Sequence, residues 1–463
     1  MAIKLYEDKK ELQKLLNEGL ATGADFSEIF FENSNSRGIQ CFNGKVNDVN
    51  SYNGYGVSVR LIKGGKIVFG YTNKMEDVEK LVVSLAKSFK DERQFSALEL
   101  KEVEKTQICT IKIPYSKVSN KEIIEKLDES YKGAKTEGAE VSKVISRFNV
   151  VSKNIWVCNS KGIYATDVRA NARFTISCVA GNGNDMQTGY KDAGCNAGYE
   201  YFDNVNCYEL GKNAAKQAVA MYHAEYIKGG KMTVVINNGF GGVILHEACV
   251  HSLEATSVAK GASVFCGKIG EKIASDIVNA VDDGTIPNSW GSYNVDDEGH
   301  LPKRNVLIKN GVLQSYLVDY ANSKKMNHPT TGSGRRQSYS YAPTSRMTNT
   351  FFLNGTSTFD EIIKNTKKGL FAAAMGGGSV DPSTGEFNFA VLEGYLIEDG
   401  KITKPIKGAT LIGSGKDILL NVDMIANNLL TDHGMCGSLS GSVPTDVGQP
   451  TIRVQNITVG GRN

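Results

Sequence analysis

The chain is short of proline and of net charge, and it has no long apolar segment. It has 463 residues, of which 9 are proline, and its 53 Lys and Arg nearly balance its 50 Asp and Glu, which leaves +3. That balance argues against nucleic acid or a membrane surface as a partner recognised by charge. No apolar run approaches the roughly 18 residues that a membrane helix needs. The sequence therefore predicts a globular protein that binds neither membranes nor nucleic acid directly.

Paired cysteines are also missing. The nine cysteines are an odd number, lie scattered along the chain and include no Cys-x-x-Cys pair. A disulfide framework is therefore not expected, and reduced thiols are typical of a cytosolic protein. The sequence also turns charged near its start, before the apolar core of a signal peptide could form. We therefore expect a cytoplasmic protein.

Glycine is the residue in excess. Its 49 copies are about a tenth of the chain, against a usual ~7%. With so little proline, this excess indicates many tight turns between strands. Helical and alternating patterns succeed one another without a short repeat. The sequence predicts an α+β fold in three segments, 1–105, 106–228 and 229–463, the last of them β-rich.

Some elements can be placed from local signals. Ser119 followed by Glu122 predicts the capping box of a helix. A hairpin is predicted over 306–313, with its turn at Asn310-Gly311. The charged stretch 90–105 has little pattern and is predicted to be a linker.

The sharpest chemical signal is His246-Glu247-x-x-x-His251, which follows a glycine-rich turn. Imidazoles bind zinc, and a glutamate beside them can activate water, as on the zinc-protease helix. The standard motif spaces its histidines four residues apart, about 40° around a helix, whereas five residues place them about 140° apart. Both rings reach one ion only if the helix is bent or locally widened, so we predict a distortion between Glu247 and His251. A regular helix with one buried and one exposed histidine would show the same pattern.

An open zinc site needs a third protein ligand. His433 and Cys436 are candidates in the segment 431–437. Cys249 is a rival, because it lies three residues after His246 on nearly the same helix face. Spacing alone does not choose among the three. The remaining histidines are predicted at a helix C-terminus or in solvated loops: His223, His300 and His328.

A series of longer strings follows this helix in the C-terminal segment. They are DDGTIP (282–287), DDEG (296–299), GRRQSY (334–339), RMTN (346–349), GGGSVD (376–381), KPIKGATLIG (404–413), VGQPT (447–451) and TVGG (458–461). With the helix and these strings the chain resembles the TldD/PmbA metalloprotease family, and within it the TldD type, which carries the zinc motif. The N-terminal half resembles the family more loosely, mainly at 54–57 and 167–169.

The resemblance implies a ligand set and a base. The family's zinc ligands fall on His246, His251 and Cys436, and its general base falls on Glu247. The resemblance also implies an N-terminal α/β region, with an antiparallel sheet and flanking helices. The β-rich C-terminal region then carries the zinc-binding helix.

Two positions beside the second histidine differ from the family's pattern. Val250 and Ser252 stand where the family has glycines. Glycine would ease a distorted turn, so the branched Val250 bears on the geometry of His251, although no ligand is lost. The position of Cys249 is typically apolar in the family, which ranks this thiol below Cys436.

The function implied by the resemblance is that of a zinc-dependent peptidase acting on short or unfolded polypeptides, with Zn²⁺ as its cofactor. The resemblance also implies a dimer that encloses the active site, either a homodimer or a heterodimer with a PmbA-like subunit. One alternative is a non-catalytic interaction protein, the sense of the family's older label as a modulator of DNA gyrase. Another is a structural zinc site with a fourth ligand such as His433 or Cys249. A pure binding subunit has no need of the complete motif, which favours the peptidase.

The pair Arg335-Arg336 leaves two interpretations open. The guanidinium groups could clamp a peptide carboxylate or a phosphate. They could equally be a structural or solvated pair.

Overall fold

The computed structural model describes residues 4–183, 185–381 and 384–462. Helix makes up 23% and strand 44%, and the sheets are antiparallel in the main. This confirms the predicted α+β class. Of the charged start of the chain, residues 1–3 lie outside the described ranges. None of the described helices is long and apolar enough to cross a membrane.

Six of the described α-helices begin at a residue whose side chain caps the first turn. Ser119 accepts a hydrogen bond from the amide of Glu122, whose carboxylate accepts one from the amide of Ser119, so the predicted capping box is confirmed. The helices are α1 (Lys9–Leu20), α2 (Val78–Ala86), α3 (Asn120–Lys135), α4 (Cys207–Tyr222), α5 (Val243–Ala248), α6 (Ala255–Val258), α7 (Tyr320–Met326), α8 (Phe359–Lys364) and α9 (Gly415–Leu420).

Strands carry most of the structure. They are β1 (Phe26–Phe42), β2 (Lys45–Lys63), β3 (Lys66–Thr72), β4 (Lys101–Glu102), β5 (Val141–Asn159), β6 (Ile163–Asn182), β7 (Asp185–Asn196), β8 (Glu225–Tyr226), β9 (Gly230–Ile236), β10 (Ala280–Asp283), β11 (Arg304–Lys309), β12 (Val312–Leu313), β13 (Gly334–Arg335), β14 (Thr344–Ser345), β15 (Asn349–Phe352), β16 (Lys368–Val380), β17 (Glu386–Glu398), β18 (Lys401–Lys407), β19 (Thr410–Ser414), β20 (Val422–Ile425), β21 (Leu430–Ser438), β22 (Gly441–Gln449) and β23 (Ile452–Gly460). The hairpin predicted over 306–313 is confirmed as β11 and β12, with positive φ at Asn310 and Gly311.

Segments 1–105 and 106–228 contribute strands to one sheet. Its order is β3-β2-β1-β5-β6-β4, and β7 pairs with β6 beside that path. β1 and β5 run antiparallel, with Glu28 opposite Asn159. α1 and α2 bury one apolar cluster on this sheet, and α3 and α4 bury another. The predicted domain boundaries stay predictions.

The segment 229–463 builds two larger sheets. One has the order β12-β11-β10-β15-β22-β21, and the other has β16-β9-β23-β19-β17-β18-β8, with β20 paired to β23. α5 contacts β15 and β22 of the first and β16 and β17 of the second. The β21–β22 hairpin aligns Cys436 with Val443. The short helix therefore lies in the C-terminal core, against the strands next to Cys436.

A buried ionic network connects the N-terminal sheet to the C-terminal segment. Nη2 of Arg60, on β2, lies 2.5 Å from a carboxylate oxygen of Glu28 and 2.8 Å from one of Glu298. The other oxygen of Glu28 lies 2.7 Å from Nη2 of Arg336. These four side chains are about 1% exposed. Such a network specifies how the two parts pack, because each charge depends on its partners for solvation.

Replacing Arg60 by methionine should lower the free energy of unfolding by about 3–5 kcal/mol, because the buried Glu298 loses its arginine partner and Glu28 keeps only Arg336. Urea denaturation followed by circular dichroism measures the change. Lys14→Met is the control, because its ion pair with Glu11 is exposed, and it should cost at most about 0.5 kcal/mol. Equal losses for the two variants would contradict this role of the network.

Candidate metal centre

Helix α5 starts from a glycine-rich turn, Gly239–Gly242. A Cβ on Gly242 would lie 2.4 Å from backbone atoms of Gly448 in β22, so only glycine allows this approach. β22 pairs with β21, the strand of Cys436. The turn thus brings the helix of His246 toward the strand of Cys436.

The helix ends between the two histidines of the motif. α5 stops at Ala248, Cys249 takes φ −130° and ψ −58°, and a 3₁₀ turn follows over Val250–Leu253. The rings of His246 and His251 then lie 4.8 Å apart between centroids, at 90° to one another. The predicted distortion is confirmed, and its form is a helix break rather than a widened turn.

This break needs no glycine. Neither Val250 nor Ser252 is among the described residues with positive φ. Val250 is instead fully buried in the C-terminal core. The two residues that replace glycines of the family's motif are therefore compatible with the turn.

His246, His251 and Cys436 meet at this break. One ligand atom from each lies within 4.8 Å of the others, and Sγ of Cys436 is 3.3 Å from Nε2 of His251. His246 is 4% exposed, and its Nδ1 has no hydrogen-bond partner among the described residues. Two imidazoles and one thiol at this spacing are a donor set typical of zinc.

The electrostatics of the cluster favour a thiolate. Burial raises the pKa of the Cys436 thiol, but His246 and His251 lower it by more, so this pKa lies well below its ordinary value. Burial lowers the pKa of His251, but Glu254 and Cys436 raise it to well above its ordinary value. Thiols bind metals as thiolates, and imidazoles bind metals in their neutral form. A metal ion would therefore displace the proton between Cys436 and His251.

Glu247 lies beside the cluster without joining it. Its Oε2 is 3.7 Å from Nε2 of His251, the nitrogen that faces Cys436. Its side chain is 20% exposed, more than that of His251 at 13%. The carboxylate is therefore next to the donor atoms and reachable from solvent.

Two charged residues behind the cluster were not singled out in the sequence. An oxygen of Glu254 lies 3.5 Å from Nδ1 of His251 and 3.6 Å from Nε of Arg346. Nη2 of the fully buried Arg346 donates to the carbonyl of Cys436. A carboxylate behind a ligating imidazole fixes the orientation of the ring. Arg346 thus connects the segment of His251 to the strand of Cys436, and its one sequence signal was its place in the RMTN string.

The rival ligands lie outside this cluster. Cys249 is completely buried, and burial raises its pKa to about 12, so it stays a thiol. Nδ1 of His433 lies 2.8 Å from Oδ1 of Asp446 on the neighbouring strand. Within the described part of the chain, neither residue belongs to the group formed by the motif histidines and Cys436.

Comparison with known proteins identifies the family. Sequence models of PmbA/TldA metallopeptidases match in chain order: domain 1 over 27–88, the central domain over 113–222 and the C-terminal domain over 229–461. The chain belongs to the PmbA/TldD family. The resemblance predicted from the sequence is therefore confirmed.

Relatives within the PmbA/TldD family cover nearly the whole chain. The metalloprotease TldD homolog of Haemophilus influenzae is 36% identical over 95% of this chain and 93% of its own length. A metalloprotease of Methanocaldococcus jannaschii is 32% identical over 96% of this chain and 98% of its own. These identities place the chain among proteins named as metalloproteases, which supports a peptidase role at the level of the family.

Crystal structures of PmbA/TldD-like proteins share the fold. A Thermotoga maritima protein named as a modulator of a DNA gyrase has a TM-score of 0.80 at 21% identity, covering 98% of this chain and 100% of its own. TldE from Thermococcus kodakarensis has a TM-score of 0.77 at 19% identity, covering 97% and 100%. At these identities the likeness establishes the architecture alone.

This PmbA/TldD protein has a second group of donor atoms, formed by Asp296, Glu298 and His300. Asp296 already accepts from three backbone amides, and Glu298 binds Arg60. The group therefore serves the buried ionic network. The prediction of a solvated loop for His300 was wrong: its side chain is 21% exposed, because the acidic turn packs against the N-terminal sheet.

Proposed function

We propose that this protein is a zinc-dependent peptidase that hydrolyses peptide bonds of short or unfolded polypeptides. The observation that carries the proposal is the convergence of His246, His251 and Cys436 beside the carboxylate of Glu247. The family names support peptide hydrolysis with a metal. The same geometry supports the ligand set and the base that the family resemblance implies.

The donor set fits zinc better than the other common divalent ions. Two nitrogens and one sulfur suit zinc, whereas magnesium and calcium prefer oxygen ligands. His246, His251 and Cys436 would hold the ion. Three protein ligands, with no fourth in the group that the described residues form, correspond to an open catalytic site rather than a closed structural one.

When bound, zinc supplies a water of lowered pKa and polarises the substrate carbonyl. Glu247 would accept a proton from the attacking water and return it to the leaving amine. Its partial exposure and its place next to His251 suit that exchange. Glu254 would hold the ring of His251 from behind, and Arg346 would hold Glu254, so both are positioning residues.

The burial of the centre supports extended substrates. His246 and Cys436 are each about 4% exposed, and a flexible chain would reach such a buried centre more readily than a folded protein. A thiolate donates more charge than an imidazole, so the ion would be a weaker Lewis acid than one held by three histidines. Slow cleavage of accessible peptides is consistent with that chemistry.

A partner subunit completes the proposal, either a second copy or a PmbA-like chain. Three apolar side chains on or just after β21, the strand of Cys436, are more than half exposed: Leu430, Met435 and Leu439. Exposed apolar groups next to a site are typical of an interface. TldE among the structural neighbours is consistent with the heterodimer. The cytoplasmic location stays a prediction. The alternative function, a non-catalytic interaction protein, gives no role to the complete donor set.

Removal and return of the metal tests the function. The purified chain should contain about one zinc ion, measured by atomic emission, and should hydrolyse an unstructured fluorogenic peptide. A chelator should abolish hydrolysis, and stoichiometric zinc should restore it. The hydrolysis buffer without protein, with and without zinc, is the control. A chain that binds no zinc and stays inactive when zinc is added, alone and with a PmbA-like partner, would refute the peptidase and favour the interaction protein.

A further inference from the structure

A cavity of about 690 Å³ lies between the N-terminal sheet and the C-terminal segment, with walls from β1, β5, β6, β13 and the β21–β22 hairpin. Two acidic side chains line it, those of Glu32 and Asp297. Six basic side chains line it as well: Arg147, Lys153, Arg169, Arg173, Arg335 and Arg336. Its volume is in the range of small-molecule and peptide pockets. We call it the basic cavity.

Most of these cations have acidic partners. The pairs are Arg173 with Asp192 at 2.8 Å, Arg169 with Asp297 at 2.8 Å, Lys153 with Glu32 at 3.5 Å and Arg336 with Glu28 at 2.7 Å. Arg147 is exposed at the rim and bonds the side chain of Gln40. Of the adjacent arginines, Arg336 is therefore structural.

Arg335 differs from the other buried cations of the cavity. It is 5% exposed, its Nη1 donates to the carbonyl of Met347, and its guanidinium lies 5.2 Å from the ring centre of Tyr293. No carboxylate among the described residues forms an ion pair with it. Burial lowers the pKa of Arg335. A buried guanidinium without a counter-ion is costly, which makes an anion from outside the chain favourable here.

The nearest acids cannot serve as that counter-ion. Asp282 is fully buried, and its oxygens accept from the amide and hydroxyl of Thr348 and from the hydroxyl of Thr350. Asp297 binds Arg169. Asp282 and Asp297 interact electrostatically with Arg335, but neither forms an ion pair with it among the described residues. The charge of Arg335 is therefore left for a ligand in the cavity.

The cavity adjoins the strands of the metal centre. Met435 and Val443 line it. Cys436 follows Met435 in β21 and is the cross-strand partner of Val443. A chain that occupies the cavity thus lies against the hairpin that carries a proposed zinc ligand.

We propose that the basic cavity binds a carboxylate of a peptide substrate, held by Arg335. The inference rests on the proposed peptidase function, since it names a feature of its substrates. The planar fork of a guanidinium matches the two oxygens of a carboxylate. Asn149 and Asn171 line the same cavity, and their side-chain amides can form hydrogen bonds with a peptide backbone. The carboxylate can come from the C-terminus of the peptide or from an acidic side chain.

Equilibrium binding tests the site without peptide turnover. The full chain carrying Glu247→Gln, loaded with zinc, is titrated into fluorescein-labelled alanine-rich hexapeptides, and anisotropy is recorded. One peptide has a free C-terminal carboxylate, one has a C-terminal amide, and one has the amide and an internal glutamate. A carboxylate form should bind about tenfold more tightly than the neutral amide, as a charge-assisted pair provides. If the peptide with a free C-terminus binds more tightly, the site takes a terminal carboxylate. If the peptide with the internal glutamate binds more tightly, the site takes an acidic side chain.

Variants test whether Arg335 causes the preference for carboxylate peptides. Arg335→Gln should reduce the tenfold preference to less than about twofold, and Arg335→Lys should leave an intermediate one, because it keeps the charge and loses the fork. Arg147→Gln, at the exposed rim, is the matched control and should keep the preference. Thermal unfolding verifies that each variant folds, and the comparison of the peptides on the parent chain needs no variant at Arg335.

Equal binding of the carboxylate and amide peptides by the parent would overturn the proposal, as would an unchanged preference in Arg335→Gln. Inorganic phosphate that displaces all three peptides alike would also overturn it, since the cavity would then be a general anion site. Hydrolysis of the peptides by the wild type is measured in a separate experiment. A carboxylate preference without zinc-dependent hydrolysis would refute the peptidase alone, and hydrolysis without the preference would refute the carboxylate site alone.

Discussion

Glu247→Gln should lower peptide hydrolysis by about 10²- to 10⁴-fold and leave the zinc content unchanged, because it removes a general base and no ligand. The amide has the shape of the carboxylate but cannot accept the proton of the attacking water. The carboxylate oxygen lies 3.7 Å from Nε2 of His251, outside the group of ligand atoms. Initial rates on an unstructured peptide, with zinc measured on the same samples, give both quantities.

Glu271→Gln is the matched control, because Glu271 is an exposed glutamate paired with Lys268. It should keep both hydrolysis and zinc. Loss of zinc in Glu247→Gln would make Glu247 a ligand, and the count of protein ligands would then rise to four. Retention of more than about a tenth of the wild-type rate would fall outside the range of a general base and would remove Glu247 from the proposed mechanism.

The local features of the fold could be predicted from the sequence. The capping box at Ser119 and the Asn310-Gly311 turn depend on a few neighbouring residues, and both form. The helix break at Cys249 also follows from local geometry, because histidines five residues apart cannot share an ion on a regular helix. In each case the physical constraint lies within at most six consecutive residues.

The choice of the third ligand could not be made in this way. It depends on the approach of Gly242 to Gly448 and on the pairing of β21 with β22, both of which join distant parts of the sequence. Cys249 would share a helix face with His246 only if the helix continued past Ala248. The break that brings the histidines together ends α5 just before that residue.

The two arginines of the GRRQSY string show the same limit. Arg336 pairs with Glu28 of the N-terminal sheet, while Arg335 lies over the ring of Tyr293 without an acidic partner among the described residues. The sequence allowed a structural pair or an anion clamp. In the folded chain Arg336 has a structural role, and Arg335 is the arginine available to bind an anion.

Cys436→Ala should abolish both zinc binding and hydrolysis, whereas Cys249→Ala should keep about one zinc ion per chain. The histidines lower the pKa of Cys436 to well below its ordinary value, which makes it a thiolate ready for a metal. Burial raises the pKa of Cys249 to about 12, so this thiol keeps its proton. Zinc per chain and hydrolysis are measured on both purified variants.

The two variants remove the same atom from buried sites of one core, so Cys249→Ala controls for the general cost of losing a buried thiol. Thermal unfolding with and without zinc should show that zinc stabilises only the Cys249 variant, because a metal stabilises the state that binds it. The reverse result, with zinc lost from Cys249→Ala and kept in Cys436→Ala, would identify Cys249 as the third ligand in place of Cys436. His246 and Cys249 would then have to share one ion across the end of α5, which requires a rearrangement of the break itself.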